Sequence, residues 1–189
     1  MNVVYGGTFN PITKAHETIV NTILNTFEVE NFIFLPVGNF YTRKEITDDV
    51  HRVNMIKLSF QNNSKVVISD IELKAKEYKG TYCSLKELSK KYNDIYFVIG
   101  GDNLLDLKTW LNLDLLLNEF KFIVINRDRI DLNQVIEENY SKYKDHFVLI
   151  NIDMNISSSM VREDIENNKD KINEEVYSYI KNNKLYGVK

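Results

Sequence analysis

The sequence predicts an α/β fold built on a parallel, doubly wound sheet. Three observations carry this expectation. Six short apolar, β-rich runs recur along the chain, at residues 3–5, 32–35, 66–68, 95–99, 122–125 and 147–150. Segments of helical period lie between most of them. The runs are largely uninterrupted by polar residues, as strands are when helices cover both faces of a sheet.

Taken in order, Val3, Val4 and Tyr5 form the first strand and run into Gly6 and Gly7. Ala15, Ile19, Ile23 and Phe27 then give an i, i+4 stripe, so a helix begins near Thr13. Val50, Val53, Ile56 and Phe60 mark a second stripe after strand two, and Leu85 and Leu88 a third helix after Thr81. Residues 113–118 supply a fourth helix, and residues 158–183 read as two more. Pro11 and Pro36, the only prolines, fall just past strand ends.

A length of 189 residues fits one domain, 1–189. It divides into a Rossmann-like α/β core, 1–150, and a C-terminal helical segment, 151–189. Hydrophobic residues make up 43% and charged residues 27%, ordinary for a globular protein. The net charge of −3 leaves no basic surplus to hold a nucleic-acid backbone, so no nucleic-acid partner is expected. Cys83 is the only cysteine, which excludes an intramolecular disulfide and a Cys-based zinc site; it reads as a small buried hydrophobe. No basic leader or long apolar run is visible, so the expectation is a cytoplasmic protein without a membrane partner. Nothing in the composition argues against a homo-oligomer.

In doubly wound sheets, ligands bind beyond the carboxyl ends of the strands, where the strand order reverses. The loops after strands one, two and four are therefore where function is expected. The first reads Gly6-Gly7-Thr8-Phe9-Asn10-Pro11-Ile12-Thr13-Lys14-Ala15-His16. Glycines at a strand end let the backbone approach a ligand closely. The following helix starts with free N–H groups and a positive dipole end, which together suit a phosphate. His16 falls in the first turn of that helix and can face the same anion. Near the other end, Ile156-Ser157-Ser158-Ser159-Met160-Val161-Arg162 offers a Ser-capped helix start, with Arg162 about one turn further on.

Together these strings resemble the signatures of the nucleotidyltransferase superfamily: Gly-Thr-Phe-(Asp/Asn)-Pro followed by (His/Thr)-x-x-His, and Ile-Ser-Ser-Thr-x-Ile-Arg. Asn10 stands where many members have Asp, Thr13 where many have the first His, and Ser159 in the Thr place. Thr13 can serve as helix cap and as phosphate contact. After strand four, Gly100-Gly101-Asp102 with Trp110 eight residues past the Asp resembles the nicotinate mononucleotide adenylyltransferase branch. There the loop serves the nucleotide ribose and the Trp stacks on the pyridine ring. Asp70-Ile71-Glu72-Leu73 before Thr81 resembles the segment that closes over the pyridine carboxylate. Arg127 sits in the place of a family Arg near the nucleotide phosphates, and Leu185-Tyr186 matches the family's tail.

The resemblance implies adenylyl transfer from ATP to a pyridine mononucleotide, with release of pyrophosphate. It assigns His16, Thr13 and Arg162 to catalysis. Gly7, Thr8, Phe9, Asn10, His16, Asp102, Arg127, Ser157, Ser158, Ser159 and Arg162 would bind ATP. Lys44, Arg52, Thr81 and Trp110 would bind the acceptor. Mg²⁺ would arrive on the ATP phosphates, with no protein metal site. The loop at residues 35–44, with His51 and Arg52, looks more like the nicotinamide mononucleotide enzymes of eukaryotes, whereas the short length and the tail lean toward the bacterial nicotinate type. Nicotinate mononucleotide is expected as the preferred acceptor, with the amide form also accepted. No acidic group near Thr81 is expected to stand unpaired against a carboxylate, although Asp70 and Glu72 are close in sequence. His51 and His146 read as structural or solvent-facing. The alternatives are a preference for the amide form, a pantetheine-phosphate adenylyltransferase, a cytidylyltransferase, and a non-catalytic nucleotide-binding module.

Overall fold

The structure is a computed structural model that describes residues 1–39, 46–127 and 130–188. Each apolar run is a strand: β1 (Asn2–Gly7), β2 (Asn31–Pro36), β3 (Val66–Ile68), β4 (Ile95–Gly100), β5 (Lys121–Asn126) and β6 (Phe147–Asn151). They form one sheet in the order β3-β2-β1-β4-β5-β6, and every pairing is parallel. β1 sits at the centre, with Val3 opposite Phe32 on one side and Tyr96 on the other. The strand order reverses between β1 and β4. The two strand ends that carry Gly6-Gly7 and Gly100 therefore open into the same crevice, as the rule for such sheets requires.

Side chains alternate across the strands, and two cores result. Val3, Phe32, Phe34, Val98 and Ile123 pack on one face with α1 (Lys14–Thr26), α2 (Asp49–Phe60) and α8 (Glu174–Asn182), whose contributions include Ile23, Ile56 and Val176. α7 (Ser158–Glu163) adds Val161 to this layer. Val4, Ile33, Phe97, Phe122 and Val124 pack on the other face with α3 (Thr81–Leu88), α4 (Gly101–Asp106), α5 (Leu113–Glu119) and α6 (Leu132–Tyr140). Among the described residues, no helix is long and apolar enough to cross a membrane.

Three local expectations change. The stripe on α2 is rotated: Val50 is 63% exposed, while Arg52 is fully buried beside Met55 and Ile56. A charged residue goes inward there because carbonyl oxygens await its guanidinium, as described below. Cys83 is exposed rather than buried, because it lies on the outer side of the first turn of α3. Between β5 and β6 the chain forms α6, capped by Asp131 accepting from the Gln134 N–H at 3.1 Å, where the sequence reading had placed no helix.

Candidate active site

Two adjoining cavities occupy the crevice at the reversal of strand order. The first, about 170 Å³, is lined by Tyr5, Gly6, Asp102, Trp110, Ile125 and Arg127 among others. The second, about 340 Å³, is lined by Gly7, Thr8, Glu72, Thr81, Trp110 and Leu111 among others. Gly6, Phe97, Asn103 and Trp110 contribute to both walls. Trp110 is half-buried and sets its ring edge-on to Phe97, with centroids 6.3 Å apart. It is thus a wall residue and not a core one.

Neighbouring side chains approach two of the glycines closely. A Cβ on Gly100 would collide with Asp102 Oδ1, which folds back over the strand end. A Cβ on Gly7 would stand 3.1 Å from the Phe9 ring. Phe9 takes a φ of 48° and turns its ring into the core, against Phe34 at 5.0 Å and His16 at 5.4 Å. The glycine-rich turn therefore makes room for a buried Phe as well as for a ligand.

His16 is fixed by the start of its own helix. The Thr13 N–H donates to His16 Nδ1 at 3.0 Å, and the Thr13 hydroxyl lies 2.9 Å from the same nitrogen. His16 occupies the third helical position, so this is a capping box with an imidazole in the place usually taken by Glu or Gln. Because Nδ1 accepts, the proton of the neutral ring sits on Nε2. Burial, followed by the nearby charge of Arg127, pushes the His16 pKa down to about 4. At neutral pH the ring is an uncharged Nε2–H donor. The adjacent Tyr5, whose ring lies 6.0 Å from His16, has its phenol pushed up to about 12, chiefly by burial.

The second motif meets the first at Asn10 and Pro11. Ser157 caps α7 by accepting from the Met160 N–H at 3.1 Å. Ser158 Oγ donates to the Pro11 carbonyl at 2.8 Å, and Arg162 Nη1 donates to the Asn10 carbonyl. Arg162 Nη2 reaches Ser159 Oγ at 3.3 Å. The sequence motifs at the two ends of the chain are thus joined by direct hydrogen bonds.

The structure divides the expected site residues into three groups. Gly7, Thr8, Thr81, Asp102, Trp110 and Arg127 line the two cavities. His16, Ser157, Ser158, Ser159 and Arg162 line neither; Ser158 and Arg162 bond the Asn10–Pro11 turn, Ser159 bonds Arg162, and His16 bonds Thr13 two residues further on. The side chains of the third group are buried. Phe9 is 2% exposed, Asn10 3%, Thr13 1% and Arg52 0%. Thr13 acts on His16. Arg52 is a brace: Nε donates to the Thr47 carbonyl at 2.8 Å, Nη1 to the Thr8 carbonyl at 2.9 Å and Nη2 to the Val37 carbonyl at 2.7 Å. Nη2 also reaches Asn39 Oδ1 at 3.3 Å, so four of the five N–H donors of this buried guanidinium are engaged within the loops. Lys44 lies outside the described residues.

Glu72, named from the sequence only as part of the Asp70–Leu73 segment, is a wall residue. Its carboxyl is 8% exposed, lines the larger cavity, and accepts from Ser84 Oγ at 2.7 Å. Burial holds its pKa above the usual carboxylate value. Glu72 and Ser84 are 12 positions apart on different elements, and no local pattern couples them.

Two ligand-sized cavities sharing one wall, with phosphate-type helix starts at their edge, suit a protein that joins two nucleotides more than one that holds a single ligand. That is the work of nucleotidyltransferases. The chain belongs to the cytidylyltransferase-like family, whose family model matches residues 4–164. It is 36% identical over 187 residues to a relative from Acholeplasma laidlawii named as a probable nicotinate-nucleotide adenylyltransferase, covering 98% of this chain and 97% of the relative. A protein of the same name from Clostridium acetobutylicum is 36% identical over 194 residues, with 97% of each chain covered. Among solved structures, Plasmodium falciparum nicotinic acid mononucleotide adenylyltransferase complexed with NaAD superposes with a TM-score of 0.81 at 29% identity, covering 99% of this chain and 97% of that one.

Proposed function

We propose that the chain transfers AMP from ATP to nicotinate mononucleotide, forming deamido-NAD and pyrophosphate. The observation that carries this reading is the shared wall of the two cavities. A ligand in each would bring its phosphate to the glycine turn between Gly6 and Pro11, beside His16 and Arg162.

The smaller cavity, with Arg127 and Asp102, suits ATP. The larger, with Thr81 at the start of α3 and Trp110 on its wall, suits the pyridine mononucleotide. A phosphate oxygen of the mononucleotide attacks the α-phosphorus of ATP in line. The new P–O bond forms as the bond to the β-phosphate breaks, and pyrophosphate leaves with the electron pair. No protein nucleophile is needed, so catalysis rests on positioning and on donors aimed where charge builds. His16 supplies a neutral Nε2–H donor. Arg162 and the Ser158 helix start serve the β and γ phosphates. Mg²⁺ bound to ATP would supply neutralisation of part of the phosphate charge. Asp102, the carboxylate on that cavity's wall, would help hold it, an oxygen ligand of the kind Mg²⁺ takes.

One observation favours the amide acceptor as a second reading. The Glu72 carboxyl on the larger cavity's wall opposes a carboxylate when ionised and accepts from an amide N–H. Pyrophosphate release measured with nicotinate and nicotinamide mononucleotides, under the same ATP and Mg²⁺, tests both readings. A higher kcat/KM for the amide form would replace the first by the second. Absence of turnover with either would sink adenylyl transfer to a pyridine nucleotide.

A further inference from the structure

The C-terminal turn reaches the phosphate-side loop from 176 positions away, and nothing in the reaction described above uses it. Tyr186 Oη donates to Asn10 Oδ1 at 2.8 Å, and the Thr47 N–H donates to the same oxygen at 3.2 Å. We propose that Tyr186 is a positioning residue that holds the Asn10–His16 segment in its working geometry through this hydrogen bond. The proposal rests on the reading of that segment as the phosphate side of an adenylyltransferase.

Asn10 is the point where the segment is gripped. Its carbonyl accepts from Arg162, its side-chain oxygen from Tyr186 and Thr47, and the next carbonyl, of Pro11, from Ser158. Two residues beyond Pro11, Thr13 sets the tautomer and direction of His16. A shift at Asn10 is therefore passed along a short, buried turn to the imidazole donor. A displacement of about 1 Å at a reacting group can cost on the order of a hundredfold in rate.

Two features separate this contact from simple anchoring of a chain end. Tyr186 has a φ of 55° and Lys184 a φ of 50°, conformations that cost a bulky residue on the order of 1 kcal/mol or more and persist where the surroundings over-determine them. That backbone is what carries the Tyr186 ring back toward Asn10. Burial pushes the Tyr186 phenol up to about 12, so at neutral pH it keeps its proton, and that proton is donated to Asn10 Oδ1. The tail is also anchored independently. Tyr179 on α8 accepts from Asn54 Nδ2 at 3.0 Å and lies 2.9 Å from His51 Nδ1, and Val188 packs into the core. Loss of one hydroxyl should leave the tail in place.

The test is Tyr186→Phe in the full chain, assayed with ATP and nicotinate mononucleotide alongside thermal unfolding. The expected result is a kcat about tenfold lower, with both KM values within about twofold of wild type. In an Asn10→Ala background, which removes the acceptor, Tyr186→Phe should cost nothing further. Asn10→Leu, similar in shape and also without the acceptor, replaces Asn10→Ala should that variant not accumulate folded. Wild-type kcat in Tyr186→Phe, a loss that appears in KM instead, or the same tenfold loss without the Asn10 acceptor would each overturn the proposal. Absence of turnover in the wild type would overturn it together with the functional reading.

Discussion

The charge state of His16 gives a prediction whose size can be worked out. Its ring is desolvated, lies near Arg127 and accepts a backbone N–H on Nδ1, so protonation is opposed. The folded-state pKa of about 4 lies below the ordinary value of 6.5. Stability tied to neutral His16 is therefore fully present above pH 6.5 and is lost as pH falls toward 4, because the unfolded chain takes up the proton first. At roughly 1.4 kcal/mol per pH unit, the gap corresponds to about 3 kcal/mol. His16→Gln isolates this share, since Gln at the third helical position completes the capping box without a titratable ring. Urea unfolding of wild type and His16→Gln at pH 7.5, 6, 5 and 4 should show the wild type losing about 3 kcal/mol relative to the variant over that range. Turnover should fall in the variant by about two orders of magnitude at pH 7.5, the usual cost of a lost oxyanion donor. A stability gap constant to within about 1 kcal/mol, or an NMR titration of His16 near 6.5, would refute the argument that burial keeps the ring neutral.

Three further outcomes follow from the same geometry. Arg162→Ala should lower kcat/KM for ATP by about two orders of magnitude, since it removes charge-assisted donors and frees the Asn10 carbonyl; calorimetry should show a smaller loss for the mononucleotide, and equal losses would place the clamp on the wrong substrate. Trp110→Ala should raise the KM for both pyridine mononucleotides by about tenfold, the scale of an aromatic stacking contact, and initial-rate kinetics showing ATP affected more than the acceptors would reverse the assignment of the two cavities. Glu72→Gln should stabilise the protein more at pH 7.5 than at pH 4. Burial raises the folded pKa of Glu72, so its contribution is present below the unfolded value and is lost as pH rises through the folded one. Denaturation curves with the opposite trend would mean that the carboxyl is ionised at little cost.

The sequence by itself determined what is local. Strand composition fixes six parallel strands because each run is a contiguous stretch of residues suited to burial on both faces. Thr13 is legible as a helix cap and a serine at 157 or 158 as the cap of α7 because a cap and its N–H lie three positions apart, whereas the His16 imidazole's share in the Thr13 capping box is a structural finding. Tertiary structure decided the rest. Periodicity put Val50 inside and left Arg52 for a substrate; the structure buries Arg52 instead because carbonyls from two separate loops converge on its guanidinium. Glu72 is close to Thr81 in sequence, but only the fold sets its carboxyl in the same cavity wall as Thr81, paired with Ser84 from α3. Tyr186 reads as an ordinary tail residue until the fold brings it to Asn10. Hydrogen bonds act over about 3 Å in space whatever the distance along the chain. A linear reading can name residues suited to phosphate chemistry, but which of them face a ligand and which hold the others in place is settled only when the segments meet.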